Sequence, residues 1–162
     1  VMADTLVHEV PTSEELADIA VQAAAAARSL GLEPRVAFLS YSNFGSPSSP
    51  STQRVSEAVA ILDGRTVDFE YEGDMSADVA LDHGLMKRLY PFARLSGPAT
   101  VLVMPALHSA NISAKLLQKM AGGTVIGPML LGMEKSVQVV QMGASVSEVV
   151  NMAAIAAHAS LK

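Results

Sequence analysis

At 162 residues the chain can bury one sizeable core, and ordinary domain size leaves room for a single α/β domain over residues 1–162. Half of its residues are hydrophobic and 17% are charged, yet no apolar run approaches the ~20 residues that cross a bilayer, which argues against a membrane partner. Eleven basic against sixteen acidic residues give a net charge of −5 and leave no basic stripe to neutralise nucleic-acid phosphates. The lack of cysteine removes disulfides, thiolate nucleophiles and thiolate metal sites. An aromatic content of 4%, with no tryptophan, points away from an aromatic cage or base-stacking platform. No basic segment followed by an apolar one opens the chain, so no signal peptide is read and a soluble, cytoplasmic protein is expected.

The first residues, Val1 to Val7, read as a strand already in progress, as in a segment cut from a longer protein. Thr12 and Glu15 have capping-box spacing and predict a helix running through the Ala23 to Ala27 stretch to Gly31. Arg35 to Ser42 reads as a strand, residues 43–50 as a loop, and Ser51 or Thr52 to Leu62 as a helix. Thr66 to Tyr71 alternates like a strand, Ala77 to Leu81 is a short helix, and Lys87 to Arg94 is a basic and aromatic loop. Thr100 to Pro105 is an apolar strand, and a helix from Ser109 to Met120 ends at Gly122-Gly123. Short β segments are expected near Val125 and at Val137 to Val140, before a final helix from Ser145 to Leu161.

Strand and helix in alternation predict a three-layer α/β fold, a largely parallel sheet with helices on both faces. Such sheets bind ligands where strands end at their carboxyl termini. The segment Ser42, Asn43, Gly45 and Ser46 offers hydroxyls and backbone donors suited to a phosphate or a pantetheine amide, or else forms a turn that satisfies itself. Asn111 is placed to hold a ligand amide or to satisfy a helix start, and both readings stand open. His8, His83, His108 and His158 show no i,i+4 pairing and no carboxylate at metal-ligand spacing, so no metal site is read. Glu148 is a carboxylate at a helix start, either a general base or the closing member of a capping box with Ser145.

Three stretches, Pro34 to Ser46 (PRVAFLSYSNFGS), Val101 to Leu130 and Gln141 to His158, together resemble the phosphotransacetylase family, the phosphate acetyl/butyryl transferases. The resemblance implies the phosphotransacetylase-like, isocitrate/isopropylmalate dehydrogenase-like fold, of which this chain is the second of two domains. The final helix would then pack toward the first domain, and acetyl transfer between coenzyme A and phosphate would be the family's activity. Active members carry Ser-Arg where this chain has Gln141 and Met142, with an aspartate at the position of Glu148. A methionine has neither the charge nor the donors of an arginine fork, so the resemblance implies a lost phosphate site and no catalytic residue.

The wording Arg94 to Leu117 and Asn151 to His158 is similar to the phosphotransacetylase-like domain at the carboxyl end of bacterial NADP-dependent malic enzymes. That similarity implies an acetyl-CoA-responsive regulatory and oligomerisation domain. Its partners would be the malic enzyme half of the same chain, which uses NADP and a divalent metal, and further copies of itself. Ser42, Asn43, Gly45, Ser46 and Asn111 would lie near the acyl-CoA. Two alternatives remain: a working phosphate acetyltransferase, and a structural dimerisation module using apolar surface around Met152 and Ile155.

Overall fold

A computed structural model of the chain describes residues 1–122 and 125–160. Four strands form one parallel sheet: β1 (Met2–Ala3), β2 (Arg35–Leu39), β3 (Glu70–Met75) and β4 (Val101–Val103), in the order β1-β4-β2-β3. Because all four run the same way, their carboxyl ends share one edge. Side chains alternate across β2. Val36 and Phe38 enter a core with helices α1 (Ser13–Ser29) and α2 (Pro50–Asp63). Ala37 and Leu39 enter a second core with α3 (Ala77–Leu81) and α4 (His83–Leu89). Both faces of the sheet are therefore covered, as the sequence predicts for apolar parallel strands.

Helix α1 starts where its capping box places it: Thr12 Oγ1 accepts from Glu15 N at 3.2 Å, and Glu15 Oε2 accepts from Thr12 N at 2.7 Å. Ala20, Ala23, Ala24 and Ala27 are all buried, so the alanine run is packing surface. α2 starts at Pro50, capped by Ser49 and Thr52.

Several expected elements fall differently. The first strand ends at Ala3, because the Asp4 carboxylate accepts from the backbone N–H groups of Leu6, Val7 and His8 and turns the chain. β2 ends at Leu39 rather than Ser42. β3 is Glu70–Met75, not residues 66–71. The first part of the supposed loop 87–94 belongs to α4. Helix α5 begins at Leu107 and runs to Met120. Neither Val125 nor residues 137–140 form strands. Gly123 and Leu161, the expected helix ends, lie outside the described residues.

The chain divides into two compact units, Val1–Ala114 and Lys115–Lys162, with α5 beginning in the first and ending in the second. The second unit contains α6 (Val146–Ser160) and, among its described residues, no strand. Met152 of α6 is buried and Ile155 half-buried, so the apolar surface expected around them is carried instead by exposed Val146, Val149 and Val150.

β3 is a strand of unusual chemistry, with Glu70, Glu72 and Asp74 among its six residues. Glu72 is 5% exposed and receives Arg94 through its backbone N (2.8 Å), Nε (3.3 Å) and a terminal nitrogen (3.2 Å). The same guanidinium donates to Asp63 at 2.6 Å and lies 4.7 Å over the Tyr71 ring. Gly73 is required, because a Cβ there would sit 2.7 Å from Phe38 Cβ. Arg94→Ala strips Glu72 of its side-chain partner, although the backbone donor at 94 remains. The expected loss is about 2–3 kcal/mol in urea unfolding, below the full cost of breaking a buried pair. The hydrogen bond from Arg94 holds the Asp63 carboxyl below its usual range, followed in effect by that from Tyr71. A depressed carboxylate stabilises above its unfolded pKa and ceases to do so as pH falls through the folded one. Part of the acid destabilisation below the ordinary aspartate range should therefore disappear in Arg94→Ala.

Candidate functional site

The turn that follows β2 and the helix that follows β4 lie beyond the carboxyl ends of their strands. Beyond β2, residues 43–46 make a tight turn: Asn43 N donates to Ser46 O at 3.0 Å and Ser46 N returns to Asn43 O at 3.1 Å. Phe44 and Gly45, its central residues, have φ of +52° and +82°, as in a type I′ turn. β3 holds this turn from beside it. Phe44 N donates to Asp74 O at 2.7 Å, and Gly45 N donates to Asp74 Oδ1 at 2.9 Å, an oxygen that also accepts from Ser56 Oγ at 2.9 Å. Asn43 Oδ1 accepts from both the N–H and the hydroxyl of Ser76.

All four backbone N–H groups of residues 43–46 are thus spent on the protein itself, and Ser42 N donates to Ser40 Oγ. The turn thus satisfies its own backbone, and these four N–H groups are not free to cradle a phosphate. Ser46 is exposed, whereas Asn43 and Phe44 are half-buried, Phe44 packing against the second core. Ser42 Oγ and Asp74 Oδ2 are buried without a protein partner.

The Phe44 ring meets those of Tyr90 and Phe92, with centroids 4.9 Å away in both cases. Three of the chain's seven aromatic residues (four Phe, three Tyr) thereby form one cluster, with Phe92 66% exposed. The low aromatic fraction gave no hint of this, because composition averages over the chain what folding concentrates.

Asn111 lies on the first turns of α5, beyond β4. Its Nδ2 donates to Thr5 O at 3.3 Å, and with Leu6, Leu107, His108 and Ile112 it lines an open, mainly apolar hollow of about 390 Å³. No hydrogen bond joins Asn111 to the 43–46 turn, although β4 and β2, the strands that precede them, are neighbours in the sheet. Near β1, His8 Nδ1 lies 2.8 Å from Asp4 Oδ2, an i,i+4 pair that the histidine reading overlooked. Burial opposes the lowered pKa of Asp4, but the N–H donors of Leu6, Val7 and His8 together outweigh it. Among the described residues no three His, Asp or Glu side chains are grouped to hold a metal.

Arg54 was also missed. Its guanidinium reaches from α2 to Pro105 O at 3.3 Å, tying the helix after β2 to the segment after β4. A basic residue one turn into the helix that follows a candidate loop was the available signal.

In the second unit, Gln141 Oε1 accepts from Lys115 Nζ at 3.1 Å and Met142 is fully exposed. Glu148 Oε2 accepts from Ser145 N at 2.6 Å and from Ser145 Oγ at 2.8 Å, while Glu148 N donates to Ser145 Oγ at 3.3 Å. That is a capping box, and the Ser145 N–H pulls the carboxyl of Glu148 below its usual range.

Residues 1–157 match the family described as phosphate acetyl/butaryl transferase. The chain belongs to that family. It is 62% identical over 157 residues to an NADP-dependent malic enzyme of Rhizobium meliloti (strain 1021), covering 97% of this chain and 20% of that protein. It is 38% identical over 157 residues to a phosphate acetyltransferase of Nitratidesulfovibrio vulgaris, covering 97% of this chain and 22% of that one. A phosphotransacetylase from Streptococcus pyogenes superposes with a TM-score of 0.93 at 32% identity, covering 99% of this chain and 49% of that chain. The chain therefore spans about one fifth of these two curated relatives and half of the solved transferase. The expected phosphotransacetylase-like α/β fold is the one found.

Asp74→Ala removes the acceptor for Gly45 N and Ser56 Oγ from the interior. A loss of about 1–3 kcal/mol is expected in chemical denaturation, with faster amide exchange at Gly45 than at Asn43.

Proposed function

We propose that this chain is the acetyl-CoA-responsive regulatory and oligomerisation domain of a cytoplasmic NADP-dependent malic enzyme, and that it is not itself catalytic. The observation that carries the reading is the pair Gln141 and Met142 at the family's Ser-Arg position. An arginine fork grips a phosphoryl group by paired, charge-assisted hydrogen bonds, whereas a thioether presents neither charge nor donor. Glu148, at the aspartate position, is occupied in capping α6. The 62% identity to a protein named as a malic enzyme supports the same reading.

In this reading the ligand is acetyl-CoA, bound near Ser42, Asn43, Gly45, Ser46 and Asn111 at the carboxyl edge of the sheet. The malic enzyme half of the same polypeptide supplies the NADP and divalent-metal chemistry. Exposed Leu116, Leu117 and Met120 on α5, with Val146, Val149 and Val150 on α6, favour self-association. No described helix is long and apolar enough to cross a membrane. A second reading, a working phosphate acetyltransferase, draws on the likeness to proteins so named.

Two measurements separate them. A coupled assay with acetyl phosphate and CoA should give no protein-dependent rate, and turnover at about 1 per second or above would establish the transferase. In the parent enzyme, acetyl-CoA should inhibit malate oxidation by roughly 5- to 150-fold in affinity, the usual range of allosteric coupling. Deleting the segment should abolish that inhibition while basal oxidation persists; inhibition that survives the deletion would place the sensor elsewhere.

A further inference from the structure

We propose that Phe92, backed by Phe44 and Tyr90, is the platform on which the adenine ring of the acyl-CoA stacks. This rests on the acyl-CoA reading above and names how its nucleotide end is recognised.

The turn after β2 cannot hold phosphates through its backbone, because its four N–H groups donate to Asp74 and to the carbonyl oxygens of Asn43 and Ser46. Recognition at this part of the edge therefore falls to side chains. The largest of these is the aromatic cluster. Phe44 is the one non-glycine residue with a positive φ among the described residues, a conformation that costs an L-residue about 1 kcal/mol. That backbone brings its ring to 4.9 Å from both Tyr90 and Phe92. Phe92 meets Phe44 edge-on at 71° and Tyr90 at 74°, so two rings buttress it while its side chain is 66% exposed. A braced, outward aromatic ring suits a planar heterocycle, and CoA carries one such ring, its adenine. Arg88 is exposed on the last turn of α4, two residues before Tyr90, and makes no ion pair or side-chain hydrogen bond among the described residues. A cation there complements the phosphates that adjoin adenine.

The test is calorimetric titration of the full-length protein with acetyl-CoA and with acetyl-phosphopantetheine, which lacks the nucleotide. Wild type is compared with Phe92→Ala and Phe92→Tyr. Phe92→Ala should weaken acetyl-CoA by about 10-fold or more, the worth of one stacked base, and Phe92→Tyr should restore it. Acetyl-phosphopantetheine should bind all three proteins alike. Equal affinity of wild type for the two ligands, or a parallel loss of both in Phe92→Ala, overturns the stacking role and leaves the acyl-CoA reading standing. Failure of wild type to bind either ligand removes both. An oligomer that falls apart in Phe92→Ala without change in acetyl-CoA affinity assigns the ring to a subunit contact and overturns the proposal.

Discussion

Carboxylates spaced along β3 anchor the segments that surround it. Glu70 takes the N–H and hydroxyl of Ser96, Glu72 takes Arg94, and Asp74 takes Gly45 and Ser56. A buried carboxylate is costly unless it is matched, so Glu72 and Asp74 dictate where their partner segments must run, while Glu70 makes its bonds at the exposed surface. Residues 43–46 and 94–96 are thereby clipped to the same strand. The meeting of Phe44 with Tyr90 and Phe92 follows from that shared anchorage and not from any affinity local to the loops.

Local rules explain what the sequence makes legible. The Thr12-Glu15 and Ser145-Glu148 spacings announce their helices because a cap is decided within four residues. The apolar runs at Val36 to Leu39 and Val101 to Val103 announce buried strands for the same reason. β3 hides because Glu-Tyr-Glu-Gly-Asp-Met contradicts strand composition. Its charges become tolerable only through Arg94 and the Asn43–Ser46 turn, partners more than twenty residues away. Residues 125–140 mislead in the other direction. Valine-rich pieces such as Val137 to Val140 have strand propensity, but no neighbouring strand takes them, and propensity without a partner makes no sheet.

The candidate site divides along the same line. Position in the chain sufficed to find the turn at 42–46, whereas Gln141 and Met142 stood out only through the family resemblance. Asp74, Arg54 and the aromatic cluster were invisible, since each acquires its role from a contact between distant elements. The sequence leaves a ligand cradle and a self-satisfied turn both open at 42–46. That the backbone N–H groups of residues 43–46 are all engaged within the protein emerges only from the fold.

That engagement has a kinetic side. A turn with every backbone donor already engaged is held in shape without help from a ligand. A ligand recognised there would lose little ordering entropy on association and would need no slow closing step before capture.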